Sequence, residues 1–233
     1  MMQQQQIIQT YLQAIEIYNA ALRFAPQNWK ILKRKARACD QLSQLYSQQQ
    51  QYQHAIDTLK QAVAGYEMEF SQTPNDALNI SYLGMLIERL AELQVSQKQY
   101  AQAFDSYQQA ISIYEAAIAL SVDDSGNHAL KAGALTSLAD LQLLQSQYTQ
   151  ALSNYQQAVA CYNTSLLLKP LKGVELDRAG SLQKLGNCFS LLSQNSEALE
   201  CYQSAMKVFS QLPPGNRHLR SLTQQMQQLS NTD

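Results

Sequence analysis

The chain has 233 residues, with 17 Lys and Arg against 18 Asp and Glu for a net charge of −1. That balance excludes a general polyanion binder. A hydrophobic share of 45% excludes wholesale disorder, and eight Gly and five Pro are too few for the turns of a β-sandwich or a Rossmann fold. The excess residue is Gln, 36 in all, which with Ala and Leu forms a helix-favouring background. No apolar run reaches the ~18 residues of a membrane span, and no charged-then-apolar leader opens the sequence. Four Cys without paired spacing read as free, buried thiols of a reducing compartment. The expectation is a cytoplasmic, all-α protein with no membrane partner.

The elements follow in chain order. Residues 3–25 form one helix carrying Tyr11, Ala14, Ile15, Tyr18, Ala21 and Leu22, ended by Ala25-Pro26-Gln27-Asn28. Residues 28–72 hold two helices, the first with Cys39, Leu42, Ser43 and Tyr46, the second with Tyr52, Ala55, Ile56, Leu59, Ala62 and Val63. The breaker Ser71-Gln72-Thr73-Pro74-Asn75-Asp76 leads into residues 75–121. There Ile87, Leu90, Ala91 and Gln94 precede Tyr100, Ala103, Phe104, Tyr107, Ala110 and Ile111. After Asp123-Asp124-Ser125-Gly126-Asn127, residues 127–169 repeat the arrangement with Leu135, Leu138, Ala139 and Gln142, then Tyr148, Ala151, Leu152, Tyr155, Ala158 and Val159. Lys169-Pro170-Leu171-Lys172-Gly173 opens the fifth copy, residues 174–212, with Leu182, Leu185, Gly186 and Phe189, then Asn195, Ala198, Leu199, Tyr202, Ala205 and Met206. Pro213-Pro214-Gly215-Asn216 ends it. Residues 217–230 read as a short capping helix through Leu219, Leu222, Met226 and Leu229.

Spacings of three, four and seven place each phrase on one helix face. Small Ala alternating with large Tyr lets a neighbouring helix approach while the rings fill the gaps. The leading position of the second helix falls at 11, 52, 100, 148 and 195, so the repeat steps are 41, 48, 48 and 47. Paired helices, A with a large–large–small–aromatic pattern and B with Tyr-Ala-Tyr-Ala, resemble the tetratricopeptide repeat (TPR). The resemblance covers almost the whole chain, with repeats lengthened beyond the family's 34 residues. Kinesin-light-chain-like repeats are lengthened in a comparable way, though less. The resemblance implies a right-handed superhelix of antiparallel helix pairs, an α-solenoid running as one domain over residues 1–233. It also implies a non-catalytic scaffold that binds a protein or peptide in a concave groove lined by the A helices, on its own or as a regulatory or sensor part of something larger.

Residue chemistry offers no catalytic set. His54 falls in a surface slot, and His128 and His218 fall beside loops. None shares a face with Cys or carboxylate at metal-ligand spacing, so neither a metal nor a cofactor is expected. Cys39, Cys161, Cys188 and Cys201 read as buried packing residues. Asp123-Asp124-Ser125-Gly126 lacks the alternating ligands and distal Glu of a calcium loop. The Tyr stripe reads as core.

Charge is unevenly placed. No acid lies between Glu16 and Asp40, a window holding Arg23, Lys30, Lys33, Arg34, Lys35 and Arg37. Lys30, Lys33, Arg34 and Arg37 share a face of the first A helix, where packing gives no reason for them. On the tetratricopeptide mapping, Arg37, Asp40, Gln44 and Ser47 face the groove. They are followed by Met85, Glu88, Arg89 and Glu92, then Gly133, Thr136, Ser137 and Asp140, then Gln183, Lys184 and Asn187. The family's carboxylate clamp of Lys, Asn and Arg on successive A helices is absent as a pattern: Met85 precedes Arg89 where a Lys belongs, and Lys184 and Asn187 are three apart rather than four. The groove reads as a surface for an acidic or hydrogen-bonding peptide. The alternative is nucleic acid or another polyanion on the basic helix.

Overall fold

A computed structural model of the chain describes residues 2–72, 75–213 and 216–230, so Thr73, Pro74, Pro214 and Gly215 of the breakers lie outside the described residues. The described residues form helices α1 (Met2–Phe24), α2 (Trp29–Gln48), α3 (Tyr52–Gln72), α4 (Ala77–Ser96), α5 (Tyr100–Leu120), α6 (Ser125–Leu144), α7 (Tyr148–Leu168), α8 (Lys172–Leu191), α9 (Asn195–Phe209) and α10 (Arg217–Ser230), and no strand. Two compact units result, Met1–Ser121 and Val122–Asp233. In the first, α2 pairs with α3 and α4 with α5, α1 packs on α2, and α3 packs on α4. In the second, α6 pairs with α7 and α8 with α9, α7 packs on α8, and α10 packs on α9. Each unit is a stack of antiparallel helix pairs, the arrangement of an α-solenoid.

Every hairpin turn has the same construction. The A helix closes at a residue in the left-handed region, Gln50, Lys98, Ser146 or Ser193, with φ between 58° and 60°. The next N–H reaches back five residues, from Gln51 to Tyr46 O (2.9 Å), Gln99 to Gln94 O (2.8 Å), Gln147 to Gln142 O (2.8 Å) and Gln194 to Phe189 O (2.9 Å). This satisfies carbonyls that the helix end would leave unpaired. None of the four carries glycine, although a Cβ in this conformation costs roughly 1–2 kcal/mol. Lys98→Gly is therefore expected to stabilise the protein by about 0.5–1 kcal/mol after the greater unfolded-state freedom of Gly is subtracted. Urea denaturation checks this, and an unchanged or lowered midpoint would count against a strained turn.

At the other end of the hairpins three A helices, α2, α4 and α6, start on side-chain caps, whereas α8 follows Leu171, which makes no such bond. Asn28 accepts from the Ile31 N–H, Asp76 from Leu78 and Asn79, and Asp124 from Gly126. These residues of the breakers are helix starts rather than plain loop. Helix α6 accordingly begins at Ser125, and α8, which has no side-chain cap, begins at Lys172, each two residues ahead of the expected boundary.

Helix crossings fall at the small residues. Ala55 and Ala62, Ala103 and Ala110, Ala151 and Ala158, and Ala198 and Ala205 are all fully buried. On the A helices Ser43, Ala91 and Ala139 are buried in register with them. At Gly186 a Cβ would stand 2.5 Å from the Tyr202 ring, so the absent methyl is what admits that ring. The B phrase also continues beyond its expected end. Tyr66, Tyr114, Tyr162 and Phe209, fourteen residues after each helix start, are a further buried aromatic row. Gly84 leaves room for Tyr114, whose ring would lie 2.6 Å from a Cβ there.

Two expectations need correction, and His218, beside its loop as expected, is packed rather than free in solvent. The leading aromatics are not core: Tyr52 and Tyr100 are half-buried and Tyr148 is exposed, because they sit in the first turn of the B helix, directly after the hairpin turn. Cys161 and Cys201 are half-buried, unlike the buried Cys39 and Cys188, and all four are free thiols. His218 is half-buried, its ring stacked on Phe209 at 4.6 Å.

Candidate partner-binding surface

In the first unit the A-helix face is built around Asp40, a carboxylate 1% exposed. Its Oδ1 accepts from Arg89 Nη1 at 2.7 Å and from Gln44 Nε2 at 3.2 Å, and its Oδ2 accepts from the Tyr82 hydroxyl at 2.6 Å. Arg89 Nη2 also donates to Ser43 Oγ (3.1 Å), which itself donates to the Asp40 carbonyl (2.7 Å). Asp40 and Arg89 thus lock α2 to α4. Burial, and then the bond to the Asp40 carboxylate, push the Tyr82 phenol well above its usual range.

Two recesses flank this lock. One of about 480 Å³ is lined by Lys33, Arg37, Asp40, Gln41, Tyr66, Leu78, Asn79 and Tyr82. The other, about 400 Å³, is lined by Ser43, Gln44, Ser47, Gln48, Arg89, Glu92 and Leu93. The structure therefore brings Arg37, Asp40, Gln44, Ser47, Arg89 and Glu92 to one α2–α4 face. Tyr66 meets Tyr82 edge-on at 5.0 Å, with the Arg37 guanidinium beside its hydroxyl.

The four basic residues of α2 separate into two groups. Lys33 donates to the carboxylate of Glu69, which is 2% exposed on α3, so packing does use this one member of the stripe. Lys30, Arg34 and Arg37 are exposed, Lys30 lying 5.7 Å from the Trp29 ring centre. Glu88 faces into the α4–α5 hairpin. Its Oε2 accepts from the fully buried Tyr114 hydroxyl at 2.9 Å, and burial pushes its carboxyl up to about 7, with the neighbouring charge of Glu92 adding to the effect.

The second unit repeats the scheme with different chemistry. Asp140 accepts from Tyr155 at 2.6 Å and from Lys184 Nζ at 2.5 Å, and Thr136 shares a 2.9 Å bond with Ser181. Asn187 accepts from Tyr202 at 2.8 Å, and Gln183 donates to Ser221 and Gln225 of α10 at 3.0 and 2.9 Å. A cleft of about 460 Å³ lies over this face, with Gly133, Ser137, Gly180 and Ser181 in its lining and His218 at one end. Its open floor follows from Gly133 and Gly180 standing where the first unit has Arg37 and Met85.

Among the described residues no group of three or more His, Cys, Asp or Glu is placed to hold a metal, and no helix is long and apolar enough to cross a membrane. Burial pushes the Cys39 and Cys201 thiols up to about 11, away from the reactive thiolate.

Stacked hairpins with an alanine ladder and an A-helix face of polar side chains define a helical-repeat protein. A sequence model described as Tetratricopeptide repeat matches residues 36–64, the second half of α2 with its turn and the first half of α3. The matched segment is one tetratricopeptide-like hairpin, and from Tyr52 onward the same paired-helix unit returns every 47–48 residues. It is similar in fold to BtubC (BKLC) from P. vanneervenii, at 16% identity and a TM-score of 0.67 over 98% of this chain and 83% of that one. A putative kinesin light chain from Podosopora anserina with nearly identical TPR-like repeats gives 18% identity and a TM-score of 0.55 over 84% of each chain. YrrB, described as a TPR protein with an unusual peptide-binding site, gives 16% and 0.50 over 93% of this chain and 85% of that one. A comparison with curated proteins finds no match.

Proposed function

We propose that the protein is a non-catalytic interaction scaffold whose first unit receives an acidic partner segment on the α2–α4 face. The observation that carries this reading is a cleft lined by exposed Arg37 whose floor, Asp40 with Tyr82, is already bonded internally and tied to Arg89, with exposed Lys30 and Arg34 on the same helix α2. A pre-organised floor costs little ordering on binding, and the exposed cations of α2 supply the attraction for carboxylates. Asp40, Arg89, Glu88, Asp140, Thr136, Gln183, Lys184 and Asn187 act in this reading chiefly by holding the face in shape. Ligand contact falls to Arg37, Gln44 and Glu92 and to the exposed Lys30 and Arg34 of α2.

Replacing Lys30, Arg34 and Arg37 together with Gln is expected to leave the melting temperature within about 1–2 °C, since exposed charges contribute little to stability. The same variant is expected to weaken the partner recovered from the native source by at least about tenfold in fluorescence anisotropy. Full affinity in the variant would sink the proposal. Wild-type binding to an oligonucleotide that falls steeply between low and moderate salt would replace the acidic peptide with nucleic acid.

A further inference from the structure

We infer that a second docking site lies at the C-terminal end of α7, and that it accepts the last two turns of a partner's amphipathic helix bearing aliphatic side chains and a carboxylate. Helices α3, α5 and α7 each run for 21 residues, whereas α9 stops after 15, at Phe209. The shortfall is about 9 Å of helix at ~1.5 Å per residue. In the first unit the full-length α5 runs beside α3, with Gln109 donating to Glu67. In the second unit a cleft of about 640 Å³ opens beside the end of α7, lined by Leu166, Leu167, Pro170, Leu171, Lys172 and Arg178 among others.

The uncovered floor is apolar. Leu167 is 86% exposed and Leu171 41%. Its rim carries two cations, Lys172 and Arg178, against one acid, Glu175. Arg178 is held in place by a 2.9 Å bond from Nη1 to Asn163 Oδ1, while its Nε, shielded from solvent, has no hydrogen-bond partner among the described residues. An apolar floor beside a fixed, incompletely bonded guanidinium favours an aliphatic helix turn with an acidic residue. The ends of this chain's own long B helices have that chemistry, as in Glu115-Ala116-Ala117-Ile118-Ala119-Leu120 of α5. At ~100° per residue, Lys172, Glu175 and Arg178 lie on the side of α8 opposite Asp177, Gly180 and Lys184. The site is therefore separate from the A-helix faces and does not depend on the function proposed for them.

The test uses the full chain and a fluorescein-labelled peptide of residues 111–121. Saturable binding is expected. It should weaken by at least about tenfold in Leu167→Asp, whose exposed position tolerates the change, and by about threefold when the peptide's Glu is replaced by Gln. The Lys30, Arg34 and Arg37 triple-Gln variant should bind this peptide as the wild type does, which separates failure of this site from failure of the first. Equal affinity in Leu167→Asp, or no saturation, overturns the inference. So does a wild-type dimer in sedimentation that Leu167→Asp disperses, which would make the cleft a self-interface, or binding of dodecanoate without the peptide.

Discussion

Asp40→Ala is expected to destabilise the first unit by roughly 2–4 kcal/mol, among the largest effects of any single polar substitution in the chain. The carboxylate is 1% exposed and serves three donors, Arg89, Gln44 and Tyr82, that no other acid replaces in the described contacts. Its removal strands the Tyr82 hydroxyl in a protected site and leaves the guanidinium without its partner. The upper end of the usual cost of breaking a buried ion pair does not apply, because the Arg89 side chain is 32% exposed and water recovers part of the loss. Urea denaturation of Asp40→Ala, Arg89→Ala and the double variant gives the coupling between them. Additive effects would mean that the two groups merely sit close together. A coupling above about 1 kcal/mol would identify the pair as the lock between the two hairpins.

Glu88→Gln is expected to stabilise the protein in mild alkali and to do nothing in mild acid. The folded-state carboxyl titrates at about 7 against an ordinary value of 4.5, chiefly because it is buried. Between those values the folded state holds a proton that the unfolded state has released, so stability falls as pH rises. The loss begins near pH 4.5 and is complete above pH 7. It amounts to roughly 2–3 kcal/mol, at 1.36 kcal/mol per unit and discounted for residual solvent access. Gln keeps an oxygen for the Tyr114 hydroxyl and cannot ionise. Thermal melts at pH 5 and pH 8.5 decide the matter: a stabilising effect that is equal at both values, or absent at pH 8.5, would show that ionisation of Glu88 is not what weakens the fold.

The helix pairs were legible because their signal is steric and local. Ala at a crossing and Tyr one turn away recur at fixed spacing, and four of the five B helices begin within the phrase's first residue, at Tyr52, Tyr100, Tyr148 and Asn195. The hairpin turns were less legible, because the left-handed residue is Gln, Lys or Ser where sequence reasoning looks for Gly or Asn. A weaker sign was present: Gln51, Gln99, Gln147 and Gln194 stand immediately before each B helix.

The polar face was legible as a face but not as a set of bonds. Helical periodicity puts Asp40, Glu88, Thr136 and Gln183 in register, yet their partners Tyr82, Tyr114, Ser181 and Ser221 come from other helices, at separations from 26 to 45 residues. Spacing along one helix says nothing about such contacts. Gln94 and Gln142 show the same limit. They occupy the position of the aromatics Tyr46 and Phe189, and each is buried because its side-chain oxygen accepts from the paired B helix, from Ser106 and Asn154 at 2.8 Å.

The alanine ladder also bears on how little of the sequence the fold requires. Each hairpin commits only a handful of positions to a definite size: two alanines on B, one small residue on A, and the rings between them. Most of the remaining helix surface asks only for helix-forming residues, a role filled here largely by Gln. The fold therefore asks for a definite residue at few positions and leaves most of the others open. Two such proteins can share a backbone over 98% of one chain while agreeing at 16% of positions, as this chain and BtubC (BKLC) do. The fold is written in the spacing of the small residues more than in their neighbours.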